Sequence, residues 1–174
     1  TDRAEPDAKP ARFALWHWLR GGAAATELVN HATSGLPAGW SVSGDTAPAF
    51  TFDGRQIIAA TAPLPPAPDE RLDALLDDEK VRADLWHWND DFIPPVQKIR
   101  AERERKRTYA ALVDPATRRL TQLGDQTLPA VTLNDDASQA FGYDDRAYRK
   151  RTDYDGTYQD AYLVDAKTGT RRLL

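Results

Sequence analysis

Two pairs of similar segments recur along the chain and limit the folds open to it. The first pair is PAFTFDGRQIIAA, starting at Pro48, and PAVTLNDDASQAF, starting at Pro129. The second pair is ALVDPATRRLTQL, starting at Ala111, and YLVDAKTGTRRLL, starting at Tyr162. In each copy apolar and polar residues alternate on both sides of a short polar turn, which is typical of antiparallel β-hairpins. The repeats therefore predict a protein assembled from similar sheet units.

The spacing of the copies gives the size of the predicted unit. The interval from Pro48 to Pro129 is far longer than the interval from Val113 to Val164. A four-stranded blade of a β-propeller takes about 40–50 residues, so the later copy fits one blade and the earlier copy is too long by roughly 30–40 residues. We therefore expect the earlier blade to contain insertions.

These spacings predict an all-β fold, an incomplete β-propeller of about two and a half four-stranded antiparallel blades with helical insertions. We expect residues 1–46 to hold the end of a truncated blade and a linker. A blade with insertions at 62–83 and 89–107 would cover residues 47–127, and a second, complete blade residues 128–174.

The two insertions have different helical patterns. In the first, Asp69 and Glu70 are suited to cap a helix that carries an apolar stripe, formed by Leu72, Leu75 and Leu76. We expect this helix to pack on the edge of the blade. The second predicted helix, Pro95–Arg107, has almost nothing apolar after its first turn, so it should be largely solvated or contact a partner.

The tetrapeptide Leu-Trp-His-Trp occurs twice, at residues 15–18 and 85–88. On a β-strand both Trp side chains of a copy would share one face. The favoured interpretation is packing, in which the large rings fill the space between adjacent blades. The functional interpretation is an aromatic platform for a peptide or a sugar, with Trp86, His87 and Trp88 as candidate substrate-binding residues. The second copy competes with Thr108–Asp114 for the third strand of its blade.

Several kinds of catalytic and cofactor site are missing from the sequence. There is no Cys, hence no disulfide, no zinc ribbon and no cysteine nucleophile. The three His residues lack the spacing of metal ligands, and phosphate-binding glycine loops are absent. The segment Gly39–Ser43 misses the G-x-S-x-G pattern of a hydrolase nucleophile because its fifth residue is Ser. We therefore expect no catalytic residue, no metal and no cofactor in this segment.

The charge pattern argues against nucleic acid and membrane as partners. The net charge is −4, and Glu102 and Glu104 interrupt the basic run at Lys98–Arg107. The longest uncharged stretches are broken by Gly, Pro, Asn and Ser, so no membrane span is expected. The basic run fits a solvated helix or an interdomain contact. Its arginines, among them the candidate Arg103, could also hold a carboxylate such as the C-terminus of a peptide.

Two segments resemble a known family. DLWHWNDDFIPPVQKIRAERERKRTYAALVD (Asp84–Asp114) resembles the insertion-bearing blade of bacterial prolyl oligopeptidase-type serine peptidases, and DYDGTYQDAYLVDAKTGTRRLL (Asp153–Leu174) is similar to the blade that follows. The PAFTFDGRQIIAA motif resembles the blades of that family and of periplasmic TolB-type proteins. The resemblance covers most of the chain from Pro48 onwards, and the Asp84–Asp114 stretch is its most specific part.

The resemblance implies different roles for two domains of one parent chain. In that family a β-propeller caps an α/β-hydrolase domain, which carries the Ser-Asp-His triad, and limits access to short peptides. This segment would then be a non-catalytic part that gates or shapes access to a hydrolase domain of the same parent chain. The alternative is a TolB-like interaction or scaffold module without enzymatic activity. We expect the isolated segment to self-associate through bare blade faces. The compartment stays open, with an exported or periplasmic parent favoured over a cytoplasmic one.

Overall fold

The computed structural model describes residues 2–3, 10–67, 69–76, 78–80 and 83–174. The chain is mostly β, with 32% strand and 11% helix. Within the described ranges the strands are β1 (Asp2–Arg3), β2 (Phe13–His17), β3 (Thr26–Val29), β4 (Trp40–Val42), β5 (Ala49–Phe50), β6 (Ile57–Pro63), β7 (Tyr109–Asp114), β8 (Arg119–Gln122), β9 (Ala130–Leu133), β10 (Gln139–Asp144), β11 (Asp160–Asp165) and β12 (Arg171–Leu173). The helices are α1 (Glu70–Asp73) and α2 (Pro94–Arg105), with a 3₁₀ turn at Arg149–Arg151.

The strands form two antiparallel sheets. Strands β1 to β8 make a curled eight-stranded sheet in which β4 and β5 pair with different ends of β6. Strands β9 to β12 make a second sheet in which each strand pairs with the next along the chain. Strands β5 to β8 follow each other in the same way. The chain therefore contains two four-strand meanders, β5–β8 and β9–β12.

The two meanders have the same register. Ile57 pairs with Val113 in the first, and Ala140 pairs with Val164 at the corresponding position of the second. The two partners lie much further apart along the chain in the first meander than in the second. The connection between the second and third strands, which is far longer in the first meander, accounts for this difference.

The hairpin turns that open the two meanders have the same chemistry. The backbone N–H of Gln56 donates to Thr51 Oγ1 at 3.1 Å, and that of Gln139 donates to Asn134 Oδ1 at 3.1 Å. The third residue after each acceptor, a Gly in the first turn and an Ala in the second, has a positive φ, of 70° and 52°. The structure thus matches Thr51 with Asn134, whereas the sequence motifs match it with Thr132. Because the difference is two residues, every side chain keeps its face of the sheet.

The turns that close the two meanders match as the sequence repeats predict. Asp114 Oδ1 accepts from the backbone N–H groups of the second and third residues after it, and Asp165 Oδ1 does the same in its own turn. Arg118 and Gly169 take the same left-handed conformation, with φ of 56° and 72°. Asx-type hydrogen bonding therefore sets both turns, which explains the Val-Asp at the end of the strand before each.

The β5–β8 meander has apolar contacts on both of its faces. One face belongs to a buried cluster that includes Ile57 and Val113, together with Leu15 of β2 and Val29 of β3. The other face contributes Leu112 to a second cluster, formed mainly by residues of the β9–β12 meander and its flanking turns. Fully burying a Val or Leu side chain is worth about 1.5–3 kcal/mol, so both clusters contribute to the stability of the fold. The β5–β8 meander thus contacts β2 and β3 of its own curled sheet on one face and the β9–β12 sheet on the other.

The expectation that Trp rings fill the space between the sheets is wrong. In the first tetrapeptide Leu15 is 1% exposed and belongs to the core, whereas Trp16 and Trp18 are 43% and 55% exposed. A register shift between Leu15 and Trp16 interrupts the pairing of β2 with β3. In the second tetrapeptide no strand forms, because Tyr109–Asp114 takes the position beside β6.

The first predicted helix is a single turn. Asp69 caps α1 by accepting from the backbone N–H of Arg71 at 3.0 Å, as the sequence predicts. The leucines at 72, 75 and 76 are exposed, so the expected packing on a blade edge is wrong. With only four residues α1 has too few turns to present a continuous apolar stripe.

Helix α2, by contrast, has no buried residue, as expected for a solvated helix. Neither helix in the described ranges is long and apolar enough to cross a membrane.

Candidate functional site

The long connections of both meanders meet at one edge of the molecule. We call this the connection edge, where β6 and β10 end and β7 and β11 begin. In each meander the connection between the second and third strands leaves at the end opposite the first hairpin, and the hydrogen bond from Arg149 to Asp91 shows that the two connections meet. These connections are residues 64–108 and 145–159, and they include α2 and the 3₁₀ turn.

Arg149 joins the two connections. Its Nε donates to Asp145 Oδ1 at 2.9 Å within its own connection, and its Nη1 donates to Asp91 Oδ2 at 3.2 Å across to the other. Two guanidinium groups lie over the ring of Phe92, that of Arg100 at 4.0 Å and that of Arg149 at 5.6 Å from its centre. These contacts fix the second connection against the segment that precedes α2.

A basic cavity of about 450 Å³ lies between α2 and the β9–β12 meander. Arg100 and Arg103 line it from one face of the helix, since residues three apart lie on the same side. Arg107, which follows the end of the helix, lines it from the same side. The opposite wall is formed by residues of the second meander and its connection, among them Ala130, Tyr143, Asp145, Arg149, Thr157 and Gln159.

The arginine side chains of this cavity differ in the hydrogen bonds and ion pairs that they make. Arg107 donates from Nε and Nη2 to the two carboxylate oxygens of Glu104, both at 2.6 Å. This hydrogen-bonded pair lowers the pKa of Glu104 and raises the pKa of Arg107. Arg100 Nη2 lies 3.5 Å from the same carboxylate. Among the residues that the structure describes, the side chain of Arg103 makes neither a hydrogen bond nor an ion pair, although its charge helps to lower the pKa of Glu104.

A second cavity, of about 770 Å³, adjoins the first, and Arg107 lines both. Phe13, Val42 and the proline-rich segment 62–66 give it an apolar part, and charged residues such as Asp45 and Arg105 line the remainder. Tyr109 also lines it, and burial raises the pKa of this phenol. The two volumes are within the usual range of small-ligand pockets, about 300–1,000 Å³.

The second Trp-His-Trp segment lies in an exposed stretch before α2, residues 84–90, which we call the arm. Lys98 anchors it, because its Nζ lies 2.9 Å from an oxygen of Asp84 and 5.3 Å from the centre of the Trp86 ring. His87 Nδ1 accepts from the backbone N–H of the second residue after it at 3.1 Å. Trp88 is 90% exposed. The arm therefore presents an indole to solvent at the connection edge.

Asp90 stabilises the turn of the arm. Its Oδ2 accepts from the backbone N–H of His87 at 3.0 Å and from Gln97 Nε2 at 2.9 Å. The hydrogen bond from His87 is the main reason that the pKa of Asp90 lies below its ordinary value. The same Gln97 group donates to the carbonyl of Phe92 at 2.7 Å. The arm is thus tied to the first turn of α2.

The four candidate residues lie on one connection but not in one cavity. Arg103 lines the basic cavity, whereas the other three, Trp86, His87 and Trp88, belong to the arm. In the sequence, only the spacing of the arginines in and after α2 indicated that this helix has a basic face. No group of His, Cys, Asp and Glu suited to a metal ion occurs within the described ranges.

Sequence reasoning missed the residues that the other meander contributes. They include Ala130, Tyr143, Asp145, Arg149, Thr157 and Gln159. Each is distant from α2 in the chain, so no short pattern linked it to the basic run.

Among known proteins, no family model matches the sequence and no curated protein matches it significantly.

Proposed function

We propose that this chain is part of a β-propeller of the prolyl oligopeptidase type, which gates or shapes the access of peptides to a separate α/β-hydrolase domain. In this proposal the chain itself is non-catalytic. The hydrolase domain of the same parent chain supplies the nucleophile, and the propeller limits entry to short, flexible peptides.

The equivalence of the two meanders supports the propeller part of the proposal. Blades of a propeller are four-stranded antiparallel sheets that repeat around an axis and pack face to face. The two meanders share their register, their turn chemistry and a common apolar cluster. The β5–β8 meander has apolar contacts on both faces, as an internal blade would, although β2 and β3 on one side belong to its own curled sheet.

An exposed apolar face supports continuation of the stack. Phe141 and Leu163 pair across the β9–β12 meander at the positions equivalent to Ile58 and Leu112. In the β5–β8 meander those positions contact the next sheet. Phe141 is instead 41% exposed. A further sheet that packs on this face would bury it, which fits the proposed propeller.

The meeting of the two connections at one edge is the observation that carries the functional part. Arg149 joins Asp91 across the two connections and lines the cavity of about 450 Å³, which shares Arg107 with the cavity of about 770 Å³. Cavities of this size accept a few residues of an extended peptide but not a folded protein. Long loops on a rigid β scaffold commonly carry binding sites.

The test uses the 174-residue chain and a panel of fluorescein-labelled tripeptides to hexapeptides. Fluorescence anisotropy is expected to show saturable binding of the peptides. The same sequences displayed in a loop of a folded carrier protein should not bind. In parallel, a fluorophosphonate probe and ester substrates measure any serine hydrolase activity, and neither labelling nor turnover is expected.

Two results would contradict the proposal. Labelling of the chain by the fluorophosphonate probe would show a nucleophile within it. Tight binding of folded proteins without binding of short peptides would favour the alternative, a TolB-like scaffold module without enzymatic function.

A further inference from the structure

We infer that the basic cavity between α2 and the β9–β12 meander binds the C-terminal carboxylate of a short peptide, with Arg103 and Arg100 as its principal donors. The inference rests on the proposed function, because it names the part of the peptide that this cavity receives.

The charge of the lining favours an anion. Five of the twelve residues that line the cavity are basic and one, Asp145, is acidic. The attraction between an anion and these guanidinium groups is strengthened where water is partly excluded. Arg100 and Arg149 both have less than a quarter of their side chains exposed.

The available donors are concentrated on the helix side of the cavity. Arg149 is committed to two carboxylates of the connections, and Arg107 is committed to Glu104 through two of its nitrogens. Arg100 is stacked on Phe92, which fixes its plane but leaves its N–H groups without a short hydrogen bond. The side chain of Arg103, one helical turn away, makes no hydrogen bond or ion pair in the part of the chain that the structure describes, and its charge acts only at longer range on Glu104.

A planar guanidinium that is already fixed in place loses little entropy when it binds a carboxylate in a two-point hydrogen bond. Arg100 fits this role because Phe92 holds it at 4.0 Å. Arg103 would then add the second, mobile donor.

The surroundings fit a carboxylate with one negative charge better than a polyanion. Glu104, Asp145 and Asp91 lie beside the arginines and neutralise most of their charge. Glu102 lies 2.8 Å from Lys106, so four carboxylates offset four of the five basic side chains and about one positive charge remains in excess. The apolar surface of Tyr143 on the opposite wall is available to the last side chain of a peptide.

The experiment compares two forms of one N-terminally labelled tripeptide, with a free C-terminal carboxylate and with a C-terminal amide. Anisotropy titration of the chain is expected to show at least about tenfold weaker binding of the amide, since charge-assisted hydrogen bonds of this kind change affinity by about 10- to 100-fold. The substitution Arg103→Gln should remove most of the difference while the amide binds as before.

The matched control is Arg55→Gln. It removes the same charge from the turn between β5 and β6, where Arg55 lies 3.8 Å from Asp53 at the edge opposite the connections. This variant should keep the full preference for the free acid. Circular dichroism of both variants checks that the fold is retained, which is expected because both side chains are exposed.

The outcomes separate the inference from the proposed function. Equal binding of acid and amide would overturn the inference and leave peptide binding intact. Binding of neither peptide would overturn the proposed function.

Inorganic phosphate is the second source of an oxyanion. Displacement of the acid peptide by micromolar phosphate would assign the cavity to phosphate and overturn the assignment to a peptide carboxylate.

Discussion

Arg171 in the last strand holds Asp125, which lies between the two meanders. Its Nη1 donates to Asp125 Oδ1 at 3.1 Å, and its Nη2 donates to the carbonyl of Leu123 at 3.0 Å. Asp125 Oδ1 also accepts from the backbone N–H groups of Thr127 and Leu128, at 2.7 and 3.0 Å. One carboxylate therefore fixes both the turn into β9 and the strand that closes the second meander.

Acid should weaken this attachment. Partial burial alone would raise the pKa of Asp125, but the hydrogen bonds from Arg171, Thr127 and the backbone outweigh it and lower the pKa to about 2. Because the folded-state pKa is below the unfolded one, this stabilisation is complete above about pH 4 and is lost as the pH falls to about 2. After discounting for solvent screening we expect a contribution of about 1 kcal/mol.

The measurement is urea unfolding of the wild type and of Asp125→Asn from mildly to strongly acidic pH. The variant should be less stable at the mildly acidic end, and its free energy of unfolding should fall less steeply with acid. Other carboxylates with lowered pKa values, including Asp114 and Asp165, remain in both proteins and serve as the internal control. Parallel pH profiles for the two proteins would contradict the role of Asp125.

Gly142 makes room for the core of the second meander. A Cβ at this position would lie 2.5 Å from Leu128 Cδ2 and 2.9 Å from Leu128 Cγ. Leu128 is buried, so its side chain has little freedom to move aside. Gly142→Ala should reduce the free energy of unfolding, measured in urea, by about 1–3 kcal/mol, which is the usual cost of overpacking.

A rescue experiment separates overpacking from other effects of this change. Leu128→Ala alone should destabilise the chain through the cavity it leaves. The double variant should be more stable than the sum of the two single changes predicts, because the added methyl group occupies part of that cavity. If the two changes in the free energy of unfolding simply add in the double variant, the proposed contact between position 142 and Leu128 is contradicted.

Self-association should depend on the exposed face around Phe141 and Leu163. We expect the isolated chain to form dimers or larger species, because this face corresponds to one that is covered in the first meander. Phe141→Lys should shift the chain towards monomer in sedimentation or light scattering. Phe52→Lys, at another exposed aromatic residue, is the matched control and should not. A stable wild-type monomer at high concentration would refute this prediction.

Trp88 should contribute to peptide binding and not to folding. Its side chain is almost wholly exposed, so Trp88→Ala should change the free energy of unfolding by less than about 0.5 kcal/mol. If the arm contacts bound peptide, the variant should bind aromatic peptides about threefold to tenfold more weakly. Trp18→Ala, from the other tetrapeptide, should bind them as the wild type does. Equal affinities of the wild type, Trp88→Ala and Trp18→Ala would show that the arm does not contact the bound peptide.

The antiparallel hairpins could be predicted because their signals are local. Alternation sets the faces of a strand, and residues such as Asp114 and Gly54 set turns through contacts a few positions away. The cap at Asp69 and the exposed character of α2 follow from equally local patterns. The same reasoning placed the first pair of repeats two residues out of register, since alternation does not distinguish shifts of two.

The sequence by itself thus determined the mostly β, antiparallel character of the chain and the basic face of α2. Only the tertiary structure decided that Leu15, and not Trp16, enters the core, and that Asp91 meets Arg149 from a distant part of the chain. Such contacts depend on how sheets stack and where long connections return. They are set by packing among many distant residues, which no short pattern encodes.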